Sequence, residues 1–121
     1  MEKVLRILIL EDSSTDASLM EFEPEEAQTP FVSKKVTHRD DYMRELQEFS
    51  PDLILSDYNL PQYNGAMALA DAKFRRPRTP FILVTGAIDE NLAKTIICQG
   101  VTGFVTKNHL DRLAPAVRRA V

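Results

Sequence analysis

Residues 51–61 read Pro51-Asp52-Leu53-Ile54-Leu55-Ser56-Asp57-Tyr58-Asn59-Leu60-Pro61. Leu53, Ile54 and Leu55 form an apolar run too short for a helix and without polar alternation, which predicts a strand buried on both faces. The run stops abruptly at Asp57, and Pro61 and Gly65 bracket a turn beyond it.

The same signature recurs to either side. Residues 4–10 are apolar except for Arg6 and run into Glu11-Asp12-Ser13-Ser14, and further runs occupy Phe31–Val36, Phe81–Thr85 and Gly103–Thr106. Segments with helical spacing lie between them. Tyr42, Leu46 and Phe49 make one stripe, and Ala66, Leu69, Ala70 and Phe74 a second. Leu92, Ala93, Ile96 and Ile97 make a third, and Leu110, Leu113, Ala114, Val117 and Val121 the longest. A first helix is expected from about Ser14, with Pro24 kinking or ending it. Ser50-Pro51 closes the second helix, Thr79-Pro80 precedes a strand, and Pro115 falls in the first turn of the last helix, where it is tolerated.

Five strands alternating with five helices imply a parallel sheet with right-handed crossovers and helices on both faces. The expected fold is α/β, a doubly wound (βα)5 sheet of order 2-1-3-4-5, in one domain over residues 1–121. In such sheets ligands bind beyond the carboxyl ends of the strands where the order reverses, here between strands 1 and 3.

Bulk properties narrow the function. Of 121 residues, 44% are apolar and 27% charged, an ordinary globular balance. A formal charge of −3 argues against nucleic acid or membrane as the main partner. Arg75, Arg76 and Arg78 are read as cations at a helix end rather than a binding patch. The single cysteine, Cys98, follows Ile96 and Ile97 and is expected to be packed inside. With no disulfide pair, signal core or membrane-length apolar run, a cytoplasmic location is expected.

The strand ends carry the chemistry. Strand 1 ends in Glu11-Asp12 and strand 3 in Asp57, so the topology brings three carboxylates to one crevice. Anions gathered in this way need a positive partner, and an oxygen-only set suits a hard cation such as Mg²⁺. Strand 5 ends in Lys107, a mobile cation, and strand 4 in Thr85-Gly86, a hydroxyl beside a close backbone approach. Singly, each residue is an ordinary turn or surface residue. Together on one rim, they suit phosphoryl chemistry.

The chain resembles the receiver domain of bacterial response regulators, the CheY-like superfamily with a flavodoxin-like fold. The resemblance rests on Ile7-Leu-Ile-Leu-Glu11-Asp12, on residues 51–61, on Gly65, on Val84-Thr85-Gly86 and on Gly103-Phe104-Val-Thr-Lys107. It implies that Asp57 accepts a phosphoryl group from a sensor histidine kinase or phosphotransfer protein. By the same resemblance, Asp12 and Asp57 hold Mg²⁺ (or Mn²⁺), Glu11 acts on it through water, and Asn59 contributes its backbone carbonyl. Lys107 matches the lysine that contacts the phosphoryl group, Thr85 the switch hydroxyl, and Phe104 the aromatic that changes rotamer. The output surface is then the fourth helix, fifth strand and fifth helix, residues 91–121, which is also a candidate homodimer face. The domain would assist its own phosphorylation and slow dephosphorylation rather than turn over as an enzyme, without contacting nucleic acid or membrane.

Two departures stand out. Asn108 follows Lys107 where the family usually has proline, so a trans Lys107–Asn108 bond is expected. Pro24 falls in the helix that commonly borders the kinase. The competing reading is a receiver-fold interaction module whose output is independent of phosphorylation. A haloacid-dehalogenase-like phosphatase would need an aspartate where Asn59 stands, and a flavodoxin relative would need a hydroxyl-rich first loop instead of acids.

Overall fold

The computed structural model describes residues 4–11, 30–60, 63–86, 94–95, 98–106 and 112–120, without the side chains of residues 59, 60, 85, 113, 114 and 118. Its elements in chain order are β1 (Leu5–Leu10), β2 (Phe31–Val36), α1 (Arg39–Glu48), β3 (Leu53–Ser56), β4 (Asn59–Leu60), β5 (Tyr63–Asn64), α2 (Gly65–Arg75), β6 (Phe81–Thr85), β7 (Gly103–Thr106) and α3 (Leu113–Ala120). The main sheet has five strands in the order β2-β1-β3-β6-β7, and every pairing in it is parallel. With β6 and β7 as the fourth and fifth strands of this sheet, the order is the expected 2-1-3-4-5. The short antiparallel β4–β5 hairpin is an addition that the sequence reading did not foresee.

Alternation along the central strands divides the core between the two faces of the sheet. Leu8, Leu10, Ile54, Phe81 and Leu83 point to one face and pack with Tyr42 and Leu46 of α1 and with Ala68, Leu69 and Ala72 of α2. Ile7, Ile9, Leu53, Leu55, Ile82 and Val84 point to the other and pack with Ala116 and Val117 of α3. All four residues of β3 are buried, Leu53, Ile54 and Leu55 as their apolar run requires and the polar Ser56 with them. The edge strand β2 is largely open and carries Lys34 and Lys35.

The chain leaves α1 through Ser50, whose φ of 50° lies in the left-handed region. Arginine side chains hold this exit. Arg76 donates to Leu46 O (2.7 Å), Gln47 O (3.2 Å) and Ser50 Oγ (2.8 Å), and Arg6 Nε donates to Ser50 O (3.2 Å). Arg76 therefore caps the neighbouring helix. Arg75 and Arg78 are exposed, as expected for a solvated helix end.

Three expectations need correcting or bounding. The second predicted stripe is misplaced, because α2 buries Gly65, Ala68, Leu69 and Ala72 while Phe74 is 82% exposed beside Arg75. The small residues let α1 and α2 approach closely enough for Tyr42 Oη to donate to Ala68 O at 2.8 Å. Cys98 is exposed rather than packed inside. The first helix with Pro24, the stripe of Leu92, Ala93, Ile96 and Ile97, Leu110 and Val121 lie outside the described residues. Pro115 is the third residue of α3, within the first turn as expected.

Candidate functional site

The site begins where β1 and β3 run out. Leu10 and Ser56 are the last paired residues of these strands, and the ladder continues one residue further. Asp57 N–H donates to Leu10 O at 2.9 Å, and Glu11 N–H donates to Val36 O at 3.0 Å. Glu11 and Asp57 therefore leave neighbouring central strands at the same edge of the sheet. Both are buried, at 4% and 6% exposure. Thr37 Oγ1 donates to Glu11 O (3.3 Å), and Ser56 Oγ donates to Asp57 O (2.8 Å). The Asp57 carboxylate accepts the Tyr58 N–H at Oδ1, 2.8 Å away.

The backbone beyond Asp57 turns tightly into α2. Gly65 N–H donates to Tyr58 O at 2.8 Å. A Cβ at residue 65 would lie 2.6 Å from Leu83 Cδ1 and 3.1 Å from both Asp57 O and Tyr58 Cα. Glycine is needed here because backbone packs against backbone. Asn64 caps the helix by accepting the Met67 N–H at Oδ1, 2.8 Å away. Between Tyr58 and Asn64 the chain forms the β4–β5 ladder, Asn59 opposite Asn64 and Leu60 opposite Tyr63.

Tyr63 Oη donates to Asp71 Oδ2 on α2, and the same oxygen lies 3.4 Å from Arg39 Nε at the start of α1. The Tyr63 ring lies 6.1 Å from that of Tyr42. Burial, first, and then the Asp71 carboxylate push the Tyr63 phenol well above its ordinary range, with Arg39 opposing. Burial does the same to Tyr42. The sequence reading missed this cluster. Its only sequence signal is an aromatic residue inside a turn.

A pair of buried carboxylates at adjacent strand ends is a donor set suited to a hard cation. Among the described residues no group of three or more His, Cys, Asp or Glu side chains gathers. Asp12, the third acid of the expected set, lies outside the described residues.

The family model of the response regulator receiver domain matches residues 7–118. The chain belongs to the response regulator receiver domain family. Over 110 residues it is 33% identical to protein-glutamate methylesterase/protein-glutamine glutaminase 2 of Paramagnetospirillum magneticum, a match covering 88% of this chain and 31% of that protein. The chain spans less than a third of the length of the curated relatives it matches. It superposes on the phosphorylated cyanobacterial phytochrome response regulator RcpA with a TM-score of 0.76 at 26% identity, covering 97% of this chain and 91% of that one. The receiver domain of an HD domain-containing protein from Pseudomonas fluorescens shares the fold at 23% identity, with a TM-score of 0.85 and coverage of 98% and 94%.

In this receiver domain Thr85 is the last residue of β6 and is registered with Thr106 of β7. Both strand ends thus reach the same edge as Asp57. The Thr85 side chain, Lys107 and the Lys107–Asn108 bond lie outside the described residues. Phe104, registered with Leu83, is half-buried against the core layer of α1 and α2. It also borders a cavity of about 380 Å³ between β7 and α3, with Ala116 and Ala120 on the helix side. Among the described residues no helix is long and apolar enough to cross a membrane.

Proposed function

We propose that residues 1–121 form one receiver domain that accepts a phosphoryl group on Asp57 from a histidine kinase or phosphotransfer protein. The observation that carries this reading is the burial of Glu11 and Asp57 at neighbouring strand ends. Buried carboxylates at adjacent strand ends are oxygen donors of the kind that a hard cation takes. Asp57, Asp12 and the Asn59 carbonyl would hold Mg²⁺ (or Mn²⁺), with Glu11 acting through water. When bound, the cation would neutralise charge on the phosphoryl oxygens.

A carboxylate oxygen of Asp57 attacks phosphorus in line, forming the O–P bond of an acyl phosphate. The P–N bond of the donor phosphohistidine breaks, and the imidazole nitrogen keeps the electron pair. Lys107 supplies positive charge to the transferred group, so catalysis consists of positioning and charge neutralisation. Water admitted to the same site hydrolyses the acyl phosphate slowly, which makes the domain a self-assisting substrate.

The new oxygens then draw in Thr85 and Lys107 through charge-assisted hydrogen bonds of roughly 1.5–3 kcal/mol each. Such energies shift a balanced two-state equilibrium by about one or two orders of magnitude. Phe104 turns into the space that Thr85 leaves, and residues 91–121 change as the output or homodimer surface. A cytoplasmic location, with no nucleic acid or membrane bound by this domain, completes the reading.

The test is intact-mass analysis after incubation with acetyl phosphate or phosphoramidate and Mg²⁺, beside Asp57→Asn. One hydroxylamine-labile phosphate on the wild-type chain and none on the variant is expected. A folded chain that takes up neither phosphate, beryllofluoride nor a phosphoryl group from a kinase donor would overturn the reading and leave a phosphorylation-independent interaction module.

A further inference from the structure

The Asn59 carbonyl, assigned to the cation under the proposed function, sits on a ladder of only two residue pairs. An isolated ladder of that length does not hold itself in place, so its rigidity must come from elsewhere. Three attachments supply it. Gly65 N–H ties the base of the hairpin to Tyr58 O, and Asn64 ties its far strand to the first turn of α2. The third attachment is the side chain of Tyr63, whose residue pairs with Leu60, the neighbour of Asn59.

Tyr63 is 5% exposed, and its hydroxyl ends on a carboxylate that is itself held by a cation. Asp71 Oδ2 accepts from Tyr63 Oη while facing Arg39 Nε at 3.4 Å. The relay Arg39–Asp71–Tyr63 thus joins the start of α1, the middle of α2 and the hairpin. None of the three residues is among those assigned to the cation or the phosphoryl group. Arginine fixes the carboxylate, the carboxylate fixes the phenol, and the phenol fixes the strand that is registered with β4.

We infer that Tyr63 and Asp71 are positioning residues for the cation site, holding the β4–β5 hairpin so that the Asn59 carbonyl meets the ion without a further ordering cost. This inference rests on the proposed function. Groups that orient a metal ligand typically alter metal affinity by about 10- to 100-fold when removed. The Tyr63→Phe change keeps the ring against Tyr42 and removes only the hydroxyl, so the lower end of that range applies.

Calorimetric titration of the full chain with Mg²⁺ tests the idea, using wild type, Tyr63→Phe, Asp71→Asn and the double variant. Arg44→Ala, which removes α1 ion pairs with Asp41 and Glu45 and touches none of the three relay residues, serves as control. The expected result is a Kd raised about tenfold in each single variant, no further rise in the double variant, and an unchanged Kd in the control. Thermal melts without Mg²⁺ are run alongside. Variants that melt lower but bind Mg²⁺ with the wild-type Kd would reduce the relay to a structural tie and overturn the inference. A wild-type chain that binds no Mg²⁺ would sink the proposed cation site and this inference with it. Binding by wild type and all variants alike would sink the inference alone.

Discussion

At Gly65 the chain has room for hydrogen and nothing larger. The nearest atom to an added Cβ, Leu83 Cδ1, belongs to a fully buried side chain, and the next two are backbone atoms of the Asp57–Tyr58 segment. A methyl group must therefore displace either the core or the peptide that follows Asp57. Overpacking of this kind costs about 1–3 kcal/mol. Gly65→Ala should lower the urea midpoint accordingly, with little change in the slope of the transition. Sequence reading placed Gly65 at a turn. It gave no account of why glycine is required, since the reason lies in Leu83 on a different strand.

Among the elements, α1 depends on a residue that comes after α2. The last turn of α1 contains no basic side chain of its own, and Arg76 meets its carbonyls at Leu46 and Gln47. Removing a charged donor from such a helix end costs about 1–2 kcal/mol, part hydrogen bonding and part dipole. Arg76→Ala should destabilise the fold by that amount in urea and speed amide exchange in the last turn of α1. Arg75→Ala, at an exposed site beside Phe74, should stay within about 0.5 kcal/mol of wild type.

The five strands of the main sheet were legible in the sequence because β-branched and leucine-rich runs bounded by acids and prolines have few alternatives. The face of α2 was not, because its buried positions are Gly65, Ala68 and Ala72 beside one leucine. Their value lies in being small, which hydropathy does not register, so Phe74 drew the stripe to the wrong side. Similarly, Glu11 and Asp57 followed from topology alone. The Arg39–Asp71–Tyr63 relay requires three elements to meet, and no local pattern announces that.

Across the whole molecule, the two buried phenols make stability depend on pH at the alkaline end. Folding raises the pKa of Tyr42 and Tyr63 above the ordinary value of 10.0, chiefly by burial and, for Tyr63, by the Asp71 carboxylate. Below that value both folded and unfolded chains keep these protons, and the contribution is fully present. Above it the unfolded chain releases protons that the folded chain retains, so stability falls as pH rises. Urea unfolding at about pH 8.5 and 11 should show this loss, with a shallower loss in Tyr63→Phe.

The strand order also bears on synthesis. Counted outward from β1, each later strand joins an edge that is open when it arrives: β2 on one side, β3 on the other, then β6 on β3 and β7 on β6. No strand has to be inserted between two that are already paired. A chain emerging from the ribosome can therefore build this sheet in the order in which it is translated. Glu11 and Asp57, which follow β1 and β3, both precede β6 and β7 in the order of translation.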